Sequence, residues 1–285
     1  MNIAISGVTG FIGSHLSTYL HNKGHRIVHL NREMFTDSMK QQLQDVISKC
    51  DIVINLAGAP INRKWDSSYK KILYESRIHT TRSIVEAIKQ LDCVTRLLIS
   101  ASAVGYYPND GCYDEYSNEK GDGFLSQLCD EWEKEAQKVP DPVRCVITRF
   151  GIVLSPEGGA LKQMLPPFKM KIATTIGPGN QPFCWIDLDD LVRAMDFIIN
   201  NKNLHGIFNF VAPQKINNSQ FANELGKHYH TFIKMTVPTF VFKIIYGEGS
   251  KFLTTGQCVT PTRLLESGFL FETEKIGDFI KKLRL

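Results

Sequence analysis

Residues 100–115 read SASAVGYYPNDGCYDE and follow the run RLLI at 96–99. Ser100, Ser102, Tyr106 and Tyr107 thus crowd four hydroxyls at what reads as the end of a buried strand. Hydroxyls so placed could orient a polarised oxygen, and a phenol could pass it a proton. They would serve equally as the polar end of a strand, and the stretch alone does not separate the two uses. A second chemical signal stands near the N-terminus, where GVTGFIG places Gly7, Gly10 and Gly13 between the run NIAIS and a helix-patterned segment. Gly7 permits a tight turn, Gly10 lets the backbone approach a pyrophosphate, and Gly13 lets the helix pack close to the strand. The phosphates would then meet the N–H groups and the positive dipole end of the helix.

The end of the second strand, HLNRE, bears on which dinucleotide fits. A carboxylate there would accept from a free ribose 2′-hydroxyl, but this chain has Asn31 and Arg32, with Glu33 one place late. A guanidinium can pair bidentately with a 2′-phosphate, so Arg32 points to NADP, and to NADPH over NADH. A solvated surface charge is the alternative for Arg32.

These residues need a frame. NIAIS, HRIVHL, DIVINLAG, TRLLISAS and RCVITRFGIVLS read as buried strands, and helix-patterned segments alternate with them, including a long one over 67–91. The alternation predicts an α/β fold, a doubly wound parallel sheet of Rossmann type covered on both faces. With only ~20 residues between the second and third strands, a strand there is expected to be missing or shortened. Past Ser155 glycine and proline rise, then LDDLVRAMDFIIN reads as an amphipathic helix and GIFNFVA as one more strand. The expected division is a dinucleotide-binding domain over 1–155, completed by about 172–212, and a small, mostly helical lobe over 156–171 and 213–285.

Composition bounds the partners. The chain has 285 residues, 43% hydrophobic and 22% charged, with a net charge of +4, which gives no reason to propose nucleic acid. Its apolar runs are too short to cross a bilayer, and Met1 leads straight into NIAISG without a signal-like leader, so a cytoplasmic location is expected. Seven dispersed cysteines without a CxxC pair read as reduced thiols, and no metal site is expected.

Taken together, GVTGFIG, NLAG (55–58), GPGNQPFCWIDLDDLVRA (177–194) and FNFVAP (208–213) resemble the extended short-chain dehydrogenase/reductase superfamily, the sugar-nucleotide epimerases and dehydratases. GAPINRKW, SASAVGYY, RFGIVLSPEGGAL and LTTGQCVTPTRLLESGF resemble more narrowly its epimerase-family subgroup of NADP-binding proteins with a small C-terminal domain. The resemblance implies that Gly7, Thr9, Gly10, Phe11, Ile12 and Gly13 hold the pyrophosphate and that Asn31 and Arg32 hold the adenosine phosphate. It implies that Leu56, Ala57 and Gly58 pass beside the ribose, and that Phe150, Gly151 and Ile152 border the nicotinamide. Arg77 falls where the family's long helix faces the cofactor, a helix-surface charge being the alternative. Ser100 and Ser102 would end the strand under the nicotinamide, with Ser102 matching the hydroxyl that bonds the reacting oxygen. A homodimer through two long helices per subunit is implied by analogy alone.

The superfamily also supplies a tyrosine with a lysine four residues later, the lysine lowering the phenol's pKa. Aligned on Ser126 and Leu128, this chain has Gly123 and Gln127 at those places. Tyr106 and Tyr107 are left as candidate proton donors, although packing is the alternative and no Lys or His lies close in sequence to tune them. The implied function is an NADP(H)-binding oxidoreductase or epimerase-like protein acting on an unknown small, sugar-nucleotide-like substrate; the alternative is an NADP(H)-binding sensor without turnover.

Overall fold

The computed structural model describes residues 1–90 and 93–283. The last residue of the expected 67–91 helix, and 284–285 at the end of the lobe, lie outside the described residues. The chain runs β1 (Asn2–Ser6), α1 (Phe11–Asn22), β2 (Arg26–Leu30), α2 (Lys40–Ile47), β3 (Ile52–Asn55), α3 (Ser67–Ile88) and β4 (Leu97–Ala103). It continues through β5 (Cys112–Tyr113), α4 (Phe124–Ala136), β6 (Arg144–Phe150), β7 (Ile152–Ser155), α5 (Gly159–Lys169), β8 (Ile172–Ile176), β9 (Trp185–Asp187), α6 (Leu188–Asn200) and β10 (Gly206–Phe210). It ends with α7 (Asn218–His228), β11 (Ile233–Val237), α8 (Thr239–Tyr246), α9 (Lys251–Thr254), β12 (Cys258–Val259), α10 (Thr262–Glu266) and α11 (Ile276–Lys281).

Six strands form one parallel sheet in the order β10-β6-β4-β3-β1-β2. Its strands are apolar on both faces because helices cover both. Ile3, Ile5, Ile52, Ile54, Leu97 and Ile99 pack against Leu16 and Leu20 of α1 and Leu191 and Met195 of α6. Ala4, Val53, Leu98 and Ile147 pack against Leu43 of α2, Ile84 and Ile88 of α3 and Ala136 of α4. The connection between β2 and β3 holds two short 3-10 turns and α2, so a strand is indeed missing there, as its length requires. Among the described residues no helix is long and apolar enough to cross a membrane.

Beyond Ser155 a second core forms around Leu161 and Phe168 of α5, Phe183, Trp185, Phe221 and Leu225 of α7, and Phe279 of α11. Residues 172–176, expected with the sheet-completing segment, pair instead with β11 in a separate two-stranded sheet. Of the later elements, β10 joins the main sheet, while Ile186 of β9, the buried face of α6, Leu264 of α10, Phe269 and Phe271 pack in its core.

One cysteine expectation is overturned. Cys112 and Cys258 face each other in the β5–β12 pairing, 4.5 Å apart at Cα, and form a disulfide across 146 residues. Their segments are remote in sequence and meet only through the fold, so spacing could not reveal the pair. Cys112→Ser is expected to lower stability by about 2–4 kcal/mol. Urea unfolding with and without reductant checks this: reductant should reproduce the loss in the wild type and add nothing in the variant.

Candidate functional site

Sheet order places the crevice. From β1 the chain steps one way to β2 and then crosses back to β3, which makes the C-terminal edge over β1 and β3 the topological switch point where ligands bind in open α/β sheets. Gly7 turns there at φ +72°, and a Cβ on it would lie 2.7 Å from the Leu56 carbonyl oxygen. A Cβ on Gly13 would lie 2.2 Å from the Gly7 carbonyl oxygen, so α1 can approach β1 this closely only through glycine. Gly10 is the N-cap of α1 and, among the described residues, no side chain caps that end. Thr9 and Gly10 are exposed beside it, and Phe11 and Ile12 half-buried. Open N–H groups at an exposed glycine-rich turn fit a pyrophosphate.

Phe11 has a further role that its motif position did not show. Its ring lies where a Cβ on Gly158 or Gly159 would stand, at 3.1 and 2.5 Å, so it packs the start of α5 against the glycine loop. At the end of β2, Asn31 and Arg32 are both exposed, and among the described residues no carboxylate pairs with Arg32. That leaves its guanidinium available to a phosphate.

Asn55, the first residue of NLAG, fixes the next loop. Its Oδ1 accepts from Ser6 Oγ at 2.6 Å and from the Ala57 N–H at 3.3 Å, and its Nδ2 donates to Thr81 Oγ1 at 2.8 Å. This network holds Leu56, Ala57 and the exposed Gly58 across the sheet edge. Arg77 reaches under the loop from α3, donating to the Ala59 carbonyl at 3.1 Å and to the Leu73 carbonyl at 3.2 Å. A Cβ on Gly58 would stand 2.9 Å from its Cζ, which accounts for glycine at 58.

The hydroxyl cluster at the end of β4 departs from expectation. Ser100 is fully buried, lies three residues inside the strand between Asn55 and Ile147, and its hydroxyl has no partner among the described residues. It thus lies within the sheet and not at the strand's end, where the resemblance put it. Ser102 is also buried and donates to Glu133 Oε1 at 2.5 Å, so its proton is not aimed at a reacting oxygen. Glu133 in turn takes Arg149 bidentately, Nε at 2.8 Å and Nη2 at 2.7 Å, with both side chains 5% exposed or less. Burial works against the Arg149 charge, but the Glu133 carboxylate more than offsets it and raises the guanidinium above its ordinary pKa.

Arg149 also lies against both tyrosines, whose rings meet edge to face with centroids 5.6 Å apart. Its Cζ lies 3.5 Å from the Tyr106 ring centre and 4.7 Å from that of Tyr107. Tyr107 is a core residue, 1% exposed, stacked on Tyr113, with its hydroxyl donating to the Asp114 carbonyl at 2.9 Å or Asn209 Oδ1 at 3.1 Å. Burial pushes its phenol up to about 12. Tyr107 is thus withdrawn as a proton donor. Tyr106 is half-buried, and among the described residues nothing hydrogen-bonds its phenol. Its carbonyl accepts from Ser126 Oγ at 2.7 Å and from the Gly121 N–H at 3.0 Å, which fixes its backbone against the start of α4.

Against this geometry, the model of the NAD dependent epimerase/dehydratase family matches residues 3–210. The chain belongs to that family. Residues 237–283 match a second family, described as a domain of unknown function. The SDR39U1 homolog of Arabidopsis thaliana, a chloroplastic epimerase family protein, is 33% identical over 99% of this chain and 86% of its own length. An epimerase family protein of Staphylococcus epidermidis is 33% identical over 98% and 97%. The crystal structure of human epimerase family protein SDR39U1 with NADPH superposes with a TM-score of 0.92 at 31% identity, covering 99% of both chains. The UDP-glucuronic acid 4-epimerase of Bacillus cereus, at 17% identity and TM-score 0.78, shares the fold.

The places where this epimerase-family chain was expected to depart from the superfamily lie in the open. Gly123 is the exposed N-cap of α4, with nothing within 4 Å of where its Cβ would be, and Gln127 is exposed one turn later. Phe150, Gly151 and Ile152 lie half-buried at the C-terminal end of β6, where Gly151 N–H bonds the Phe210 carbonyl and Ile152 N–H the Cys184 carbonyl. Phe183 stacks on Phe221 and Trp185 packs on Phe279, while the Glu115 carboxylate accepts from the backbone N–H groups of Asn209 and Arg263. Lys120 pairs with Asp130 at 2.8 Å. Among the described residues no three His, Cys, Asp or Glu side chains are grouped to hold a metal ion.

Proposed function

We propose that this protein binds NADPH at the C-terminal edge of its sheet and works as an oxidoreductase or epimerase-like protein on a small carbonyl or carbinol compound. The observation that supports the cofactor most directly is the exposed start of α1 behind Gly7, Gly10 and Gly13, without a side-chain cap, with exposed Arg32, unpaired among the described residues, at the end of the neighbouring strand. Thr9, Phe11 and Ile12 flank the pyrophosphate in this reading. Asn31 and Arg32 take the 2′-phosphate, Leu56 to Gly58 run beside a ribose, and Phe150 to Ile152 border the ring. When bound, the nicotinamide supplies or accepts a hydride at the substrate carbon. The chain's own part is to hold the substrate oxygen and move its proton, and Tyr106 is the group with a free phenol for that task. A second reading, an NADPH sensor without turnover, is favoured by Ser102, whose hydroxyl is committed to Glu133.

Titrating NADPH and NADH against the purified protein tests the cofactor. NADPH should bind at least about ten-fold tighter, and Arg32→Asp should remove or reverse that preference, because charged hydrogen bonds of this kind carry such ratios. Equal affinities in the wild type would defeat the role given to Arg32. Oxidation of NADPH by any member of a panel of aldehydes, ketones and keto sugars separates the two readings.

A further inference from the structure

Among the described residues Arg77 is a cation without a counter-charge. Its guanidinium has five N–H donors, yet its hydrogen-bond partners are two backbone carbonyls, and among the described residues no carboxylate lies within ion-pair distance. Its other neighbours include the Trp132 ring, 5.3 Å from Cζ, the Tyr69 phenol, and Cys129, which lies beside Ser102. Burial holds its pKa below the ordinary arginine value, although part of the side chain is still reached by solvent. Leaving a charge in such surroundings unpaired is costly unless something of opposite sign completes it.

Two other arginines hold carbonyls instead of carboxylates, but for evident reasons. Arg144 covers the Ile198, Asn201 and Leu204 carbonyls at the end of α6, and Arg263 ties the His205 and Ile207 carbonyls. Both meet the sheet at the edge where β6 and β10 begin. Arg77 meets it at the opposite edge, where the ligand crevice opens, directly under exposed Gly58. The 56–58 loop divides that edge. Its Leu56 end touches Gly7 and so faces the pyrophosphate turn; its Gly58 end touches Arg77, which lies against Trp132 and Cys129 of α4.

We propose that Arg77 recognises an anionic oxygen group, a carboxylate or a phosphate, on the small molecule bound beside the cofactor. The proposal rests on the NADPH reading above for the occupant of the crevice's other half. It names the substrate or sensed ligand as an anion and assigns Arg77 to that anion and not to the cofactor's phosphates.

The test uses the full-length protein saturated with NADPH, titrated with malonate and with inorganic phosphate at constant ionic strength, and with malonamide as the neutral control. NADPH fluorescence and the thermal midpoint are the readouts. One of the two anions should give a saturable response that malonamide does not. Arg77→Gln should weaken that response at least about ten-fold while changing the NADPH dissociation constant by less than about two-fold. Arg77→Lys, which keeps the charge without the planar fork, should weaken it less, and it carries the test if the glutamine variant does not fold. An anion response equal in wild type and variant overturns the proposal, as does a wild type that binds NADPH but responds to neither anion. A ten-fold loss of NADPH affinity in Arg77→Gln overturns it too, by moving Arg77 to the cofactor. Failure of the wild type to bind NADPH at all defeats the function proposed above and is read separately, in the first titration.

Discussion

Glu133→Ala is expected to destabilise the protein by about 3–5 kcal/mol, a large share of the total for a domain of ordinary stability. Glu133 and Arg149 are 5% and 2% exposed and joined by two short hydrogen bonds, so alanine would leave a guanidinium buried among Tyr106, Tyr107 and strand residues with no anion to meet it. It would also leave the Ser102 hydroxyl without its acceptor. The pair is not itself a large net gain, because both charges were taken out of water to form it. Replacing both with methionine should therefore cost much less than Glu133→Ala, and can even be neutral. An exposed pair gives the control: Arg82→Ala removes a partner of Glu135 at 2.8 Å, but with Arg82 55% exposed the expected loss is under about 1 kcal/mol. Urea unfolding of the four proteins checks the ranking. A Glu133→Ala loss no greater than that of Arg82→Ala would show that the buried charge finds water.

The same pair shows where the sequence was legible and where it was not. The sheet could be read because each strand is a short apolar run and each covering helix repeats at helical spacing, both of which are local patterns. The glycine loop could be read because a tight turn, a close backbone approach and a close helix contact each demand glycine at a fixed offset. Glu133 was overlooked, yet a signal existed: Ser126, Cys129, Glu133 and Ala136 share one buried stripe of α4, so a carboxylate stands where an apolar residue belongs. Arg149 likewise interrupts the apolar strand RCVITRF. Two opposite charges on buried stripes of consecutive elements suggest a buried pair, though not which hydroxyl joins it. Cys112–Cys258 left no such trace, because a two-residue pairing across 146 positions has no local period. Tyr106 and Tyr107 were indistinguishable for a related reason. Adjacent residues point apart, and only the positions of Asn209, Tyr113 and Arg149 decide which ring is enclosed.

That difference between the tyrosines sets the sharpest functional expectation. If the protein reduces or oxidises a substrate, Tyr106→Phe should lower turnover by about 10²–10⁴-fold, the range for removing a general acid, with the NADPH dissociation constant unchanged within about two-fold. Phenylalanine keeps the ring over Arg149, so packing is preserved and the loss reads the hydroxyl alone. Tyr107→Phe should do the reverse. It removes a buried donor to Asp114 and Asn209, at a cost of about 1 kcal/mol in stability, and leaves turnover nearly unchanged because that phenol never meets the crevice. The two variants together separate chemistry from folding. Loss of turnover in Tyr107→Phe with none in Tyr106→Phe would reverse the assignment. Equal, small effects on both would place the proton donor on the substrate's own side or in water, since Gly123 offers no group and Gln127 a neutral amide. In the sensor reading neither variant alters any rate, because there is none; the discriminating quantity is then NADPH affinity, which Arg32 moves and Tyr106 does not.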